Sequence, residues 1–111
     1  MRRGTTPTLT FTTPYAADLI ESGYITFNQR GSTVLDVPLS DPSVTIADES
    51  ISITLTQEQT LSFDQNVASS DWMNAKAGAS AQIRAVLTSG KAVASNIVQI
   101  PICAILKEGE I

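Results

Sequence analysis

Ile51-Ser52-Ile53-Thr54-Leu55 alternates large aliphatic residues with hydroxyl residues, without a break. A period of two puts three apolar side chains on one face and two hydroxyls on the other, the pattern of a strand buried on one side. Asp48-Glu49-Ser50 precedes it as a turn. Thr56-Gln57-Glu58-Gln59 follows, with Thr at an N-cap position and Gln three residues on. That spacing is a capping box and predicts a single helical turn, which Leu61 and Phe63 pin to a core.

The flanking sequence supplies partners for this strand. Thr8–Thr12 alternates in the same way, with Leu9 and Phe11 inward and the threonines outward. Pro7 and Pro14 bracket it, as expected of an edge. Tyr15–Ser22 has room for one helical turn, which Gly23 is expected to end. Tyr24–Gln29 reads as a strand with Ile25 and Phe27 on one face. Arg30-Gly31-Ser32 is a hairpin turn, and Thr33–Val37 is the return strand. Pro38 and Asp41-Pro42 punctuate the chain before a short strand, Val44–Ile46. Ala79–Thr88 places Ala81, Ile83, Ala85 and Leu87 inward, with Gln82 and Arg84 outward. Ser89-Gly90-Lys91 is a second hairpin turn. Val93–Ile102 is expected as one long last strand, at an edge or bulged where Pro101 lacks an N–H. Asp64–Gly78 has no period of two and reads as a long polar loop, with room for one helical turn over Trp72–Lys76.

About seven short strands with closely spaced turns predict an all-β fold, an antiparallel β-sandwich with one short helical turn. The expected core is Leu9, Phe11, Ile25, Phe27, Ile51, Ile53, Leu55, Leu61, Phe63, Ile83, Leu87 and Val98. At 111 residues the chain is one domain, 1–111. Thirteen Thr and twelve Ser take the place of charged residues, which are only 16%. Thr suits strands and Ser suits turns.

Composition also narrows function. The formal net charge is −4, which argues against a phosphate-neutralising nucleic-acid binder. With no His, Ser-His-Asp and Cys-His catalysis are excluded. The lone Cys103 sits in the apolar run Ile100–Leu106 and reads as a buried, inert thiol. That run has seven residues, too few to span a bilayer. Arg2 and Arg3 are followed by Gly4-Thr5-Thr6-Pro7-Thr8, not by the apolar stretch of a secretion signal. The expectation is a product made in the cytoplasm that reaches any other location by assembly or lysis.

No catalytic, cofactor or metal site is expected. The carboxylate pairs Asp18/Glu21, Asp48/Glu49 and Glu108/Glu110 lie at turns or a terminus, where solvated acids are ordinary. Asp64, Asn66 and Asp71 do not have the spacing of a calcium-binding loop. Ser89 and Lys91 share a hairpin tip, where the lysine stays charged and cannot activate a serine. Trp72 and Met73 have two readings. Either Trp72 plugs the sandwich, or the pair anchors a contact with a partner, as exposed Trp does at interfaces. The last strand has apolar residues on both faces. With Val98, Ile100 and Ile102 inward, Ile97, Pro101 and Cys103 are left to be covered, by a partner or by the chain's own tail, Leu106–Ile111. Candidate contact residues are therefore Trp72, Met73, Ile97 and Pro101.

Five segments carry a family resemblance. They are Met1-Arg2-Arg3-Gly4-Thr5-Thr6-Pro7-Thr8-Leu9-Thr10-Phe11, Tyr24-Ile25-Thr26-Phe27, Ile53-Thr54-Leu55-Thr56-Gln57-Glu58-Gln59-Thr60-Leu61, Ala94-Ser95-Asn96-Ile97 and Ile105-Leu106-Lys107-Glu108-Gly109. In order and spacing the chain resembles small phage and prophage proteins of Firmicutes and the immunoglobulin-like N-terminal domain of phage baseplate upper proteins. It departs from that pattern at Asp64–Gly78, which reads as an insertion. The resemblance implies an immunoglobulin-like sandwich acting as a virion structural protein in the tail or baseplate. Its expected partners are other virion proteins and further copies of itself, with no nucleic acid, membrane or cofactor. The alternative is a non-catalytic carbohydrate- or ligand-binding sandwich module.

Overall fold

In the computed structural model, residues 1–63, 78–102 and 109–111 are described. Eight strands form two antiparallel sheets. The smaller sheet runs β1 (Thr8–Thr12), β5 (Ser50–Thr54), β4 (Val44–Ala47), with β5 in the middle. The larger runs β3 (Ser32–Pro38), β2 (Ile20–Gln29), β6 (Ala79–Leu87), and then β7 (Ala92–Ala94) and β8 (Val98–Ile100), which both pair with β6. The chain is an all-β sandwich, as its periodicity predicts. Helix α1 (Gln57–Leu61) and a 3-10 turn at Ala17–Leu19 are the helical elements among the described residues.

The alternating strands form as their sequences dictate. Ile51 and Ile53 are buried on β5, and Leu55 just beyond it is buried too. Thr10 and Ser52 meet on the outer face at 3.0 Å, and Thr8 and Thr54 at 2.8 Å. On β6 the buried set is Ala79, Ala81, Ile83, Ala85 and Leu87. Ile25 and Phe27 of β2 lie opposite Ile83 and Ala81. Phe27 packs edge-to-face on Phe63, with ring centroids 5.9 Å apart and planes at 81°. Leu9 is partly buried and packs against this core, which also takes in Val37, Leu39, Ile100 and Ile102.

Turn chemistry sets the registers. Arg30 and Gly31 both have positive φ, at 55° and 79°, and join β2 to β3 as a two-residue loop. Positive φ at both central residues gives a twist that matches the strands. Asp48 and Glu49 join β4 to β5, with Glu49 at φ 64°. Asp41 organises the turn before β4: its carboxylate accepts from the Ser43 hydroxyl at 2.7 Å and the Ser43 N–H at 2.9 Å. These bonds favour the ionised acid and hold its pKa below the ordinary value.

The capping box is present in full. Thr56 Oγ1 accepts from the Gln59 N–H at 3.1 Å, and Gln59 Oε1 accepts from the Thr56 N–H at 2.9 Å. The N-terminal segment closes the other end of α1. Arg3 donates to the carbonyls of Phe63 at 2.6 Å and Leu61 at 3.1 Å. The Thr60 hydroxyl, buried under this strap, donates to the Thr5 carbonyl at 2.9 Å.

Three sequence readings are corrected. Gly23 does not end a helical turn; the turn is over by Leu19 and β2 runs straight through Gly23. Glycine is needed there for space: a Cβ would overlap the carbonyl oxygen of Arg84 and come within 2.9 Å of Ala85 Cα and Leu39 Cδ1. The last strand, expected over Val93–Ile102, is two short strands. Val98, expected in the core, is 42% exposed, and Leu61 at the end of α1 is only half-buried. The loop expected over Asp64–Gly78, except Gly78 itself, lies outside the described residues, as does Cys103.

Two substitutions test this packing. Ile53→Ala empties a fully buried site and is expected to cost about 2–5 kcal/mol in urea unfolding. Gly23→Ala forces backbone apart from backbone and is expected to cost about 1–3 kcal/mol, although alanine is the better strand residue by entropy. A Gly23→Ala protein as stable as the parent would show that β2 and β6 do not approach as closely as described.

Candidate interaction surface

β7 and β8 are two pieces of one edge. Ala94 lies opposite Arg84, and Val98 lies opposite Ala81. Three steps along β6 are thus matched by four along its partner, so one extra residue is accommodated between them, which is a β-bulge. Ser95 holds the bulge. Its N–H donates to the Ile83 carbonyl at 2.8 Å, and its hydroxyl oxygen accepts from the Ile83 N–H at 3.0 Å. The Gln82 side-chain amide donates to the Ser95 carbonyl at 3.0 Å.

The bulge decides which residues face out. Without it, Val93 inward would put Gln99 inward and Ile100 outward. The extra residue reverses the parity, so that Ile100 and Ile102 are buried. Ile97 is left 61% exposed, and Pro101 is exposed beyond it. Both stand where the sequence reading put uncovered apolar residues. The Pro101 carbonyl accepts from the Met1 ammonium group. Val98 shares the inward parity but sits at the rim of an opening, which is why it is not core. Trp72 and Met73, the other two candidates, lie outside the described residues.

The opening is a groove between the two sheets, on the side where β1 faces β7 and β8. Its volume is about 720 Å³. Leu9, Phe11, Ile51, Ile83, Ala85 and Ile100 make an apolar floor, and Tyr15 lies at one end. Among the described residues none that lines it is charged. The sequence reading missed this groove. Its floor includes the small Ala85, and which residues line it depends on how the two sheets pack, which no local pattern shows.

The acids are on the surface. Asp18, Glu21, Asp48 and Glu49 are all exposed. Asp48 is structural, because its carboxylate accepts from the Ala17 N–H at 2.8 Å and so fixes the 3-10 turn. Among the described residues no three His, Cys, Asp or Glu side chains group so as to hold a metal ion. No helix among them is long and apolar enough to cross a membrane. No protein-family model matches the chain, and no curated protein matches it.

The bulge makes a testable distinction. Ser95→Ala leaves the Ile83 N–H without its acceptor and is expected to cost about 1–3 kcal/mol. Ile97→Ser, three residues from the buried Ile100, is expected to change stability by no more than about 0.5 kcal/mol. Urea unfolding of the two variants, with Ile100→Ser as the buried control, checks the assignment of faces.

Proposed function

We propose that the chain is a phage virion structural protein, a tail or baseplate module that acts by protein–protein contact and catalyses nothing. The observation that supports this best is the exposed apolar surface of the β7–β8 edge, Ile97 and Pro101 facing out and Val98 at the groove rim. Adjacent apolar side chains on an edge lose water favourably when a partner covers them. The five segments that resemble baseplate upper proteins supply the setting, and one of them, Ala94-Ser95-Asn96-Ile97, forms the bulge that presents Ile97. On this reading the protein is made in the host cytoplasm and is carried into the virion by assembly.

A second reading rests on the groove. A binding module for carbohydrate or another small ligand needs a cleft with convergent aromatic and polar groups. The groove offers Phe11 and Tyr15 as aromatics, with Thr12, Thr13, Ser95 and Asn96 as polar groups.

Co-expression with phage tail and baseplate proteins, chosen from any encoded beside it, separates the two. The assembly reading expects one of them to be captured, and expects Ile97→Asp to weaken that capture at least about 30-fold, the equivalent of a hot-spot loss of about 2 kcal/mol. Capture of none of them, together with saccharide-induced NMR shifts at Phe11 and Tyr15, would establish the ligand-binding module instead.

A further inference from the structure

The two sheets have four edges, and three of them are guarded against pairing with another chain. On β3, the residues aligned away from β2 include Asp36, which is charged, and Pro38, which has no N–H; the β2–β3 register also shifts at Phe27/Asn28. On β4 the strand is four residues long, and the Val44 N–H is spent on the Asp41 carbonyl at 2.9 Å. The β7–β8 edge is broken by the bulge and ends at Pro101.

β1 is bracketed by Pro7 and Pro14, but none of these devices lies within the strand itself. Its direction of hydrogen bonding follows from two contacts. Leu55 N–H donates to the Pro7 carbonyl and Thr13 N–H donates to the Glu49 carbonyl, both at 3.0 Å. Alternation along the strand then points the peptide groups of Leu9 and Phe11 at β5 and those of Thr8, Thr10 and Thr12 at the open edge. Three consecutive outward peptide units face no strand among the described residues. The strand has no bulge, no internal proline and no charge. Indeed no charged residue occurs between Arg3 and Asp18.

We propose that β1 is a self-pairing edge, at which a second copy of this chain adds its own β1 antiparallel to form one continuous six-stranded sheet. The match is made by charge and by side chains. Two copies of a chain of net charge −4 repel, so a self-contact requires an edge free of acids, and β1 is such an edge. In the register that sets Thr10 opposite Thr10 of the second copy, Thr8 meets Thr12 on the outer face. Thr–Thr pairs are favourable across strands. On the inner face Leu9 meets Phe11 of the second copy, and both overhang the uncharged groove beside β1. This deepens the assembly reading and rests on it for its context, since it names one partner of such a module as another copy.

Light scattering across a dilution series tests the proposal. The parent protein is expected to move from 11.8 kDa towards twice that mass as concentration rises. Thr10→Lys and Thr10→Glu each set like charges face to face at the two-fold axis, and each is expected to abolish the dimer. Mixed together, the T10K and T10E variants are expected to dimerise again, because lysine then faces glutamate. Thr10→Pro removes an outward N–H and the exposed hydroxyl contact with Ser52 but no backbone bond to β5, so it is expected to give a monomer with a circular-dichroism spectrum like the parent's. A parent that stays at 11.8 kDa throughout, or a dimer that Thr10→Lys leaves intact, would overturn the self-pairing edge. A foreign strand at β1 would show as a monomeric parent that still captures a virion protein, and that result would overturn self-pairing while upholding the assembly reading. A T10K-sensitive dimer that captures no virion protein would uphold self-pairing and overturn the virion assignment.

Discussion

The pairing of β2 with β6 is the constraint from which the rest of the molecule follows. Down this pair the inward residues are Phe27 opposite Ala81, Ile25 opposite Ile83, and Gly23 opposite Ala85. Side-chain volume falls along the pair, from Phe27 with Ala81 and the two isoleucines to Gly23 with Ala85. Alanine at positions 79 and 81 leaves room for Phe27 and Phe63 to meet edge-on at one end of the sandwich. At the other end the pair has run out of volume. Leu39 leans over Gly23 to fill part of the deficit. The groove opens beside the pair, with Ala85 and Ile83 in its floor.

Around this pair the ends of the sandwich are secured by polar bonds rather than by further core. The capping box starts α1, and Arg3 and Thr60 tie its last turn to the N-terminal segment. A helix of five residues has too few internal bonds to persist alone. Its stability comes from Phe63 in the core and from side chains that satisfy its terminal peptide groups. The same economy appears at the opposite end, where Asp48 holds the 3-10 turn that launches β2.

Much of the fold was legible because its strands obey a strict period of two. β1, β5 and β6 alternate without error, and the capping box and the Arg30-Gly31 turn have local chemistry that does not depend on the rest of the chain. The readings that failed depend on distant contacts. Gly23 looks like a terminator in sequence, and only the closeness of Arg84 and Ala85 makes it a strand residue. Val93 and Ile100 both face inward though seven positions apart, an odd number that an unbroken strand cannot satisfy. The sequence reading offered an edge position or a bulge at Pro101; the bulge lies at Ser95, whose hydroxyl makes it possible. Ile97 and Pro101 were found because two adjacent parities cannot both be buried on an edge strand. The groove was not found, because a cleft between sheets has no periodicity.

The β1 and β7–β8 edges differ in what they can offer a partner, and the energetics follow from that. An edge such as β1 offers peptide groups. Antiparallel pairing of its three outward residues with three others makes about six hydrogen bonds, each with a net gain of about 0.5–1.5 kcal/mol. Association costs about 4–15 kcal/mol of lost freedom, so main-chain bonds alone leave such a contact weak. Phe11 is already buried, so the half-buried Leu9 and the groove rim beside it must supply the difference, which ties the strength of the β1 edge to that groove. The β7–β8 edge offers side chains instead, with Ile97 and Val98 as apolar area that needs no matching strand. A module with one weak main-chain edge and one apolar side-chain edge binds little through either alone. When the same two bodies, or neighbours in a ring or sheath, engage both, the second contact forms at the effective concentration set by the first.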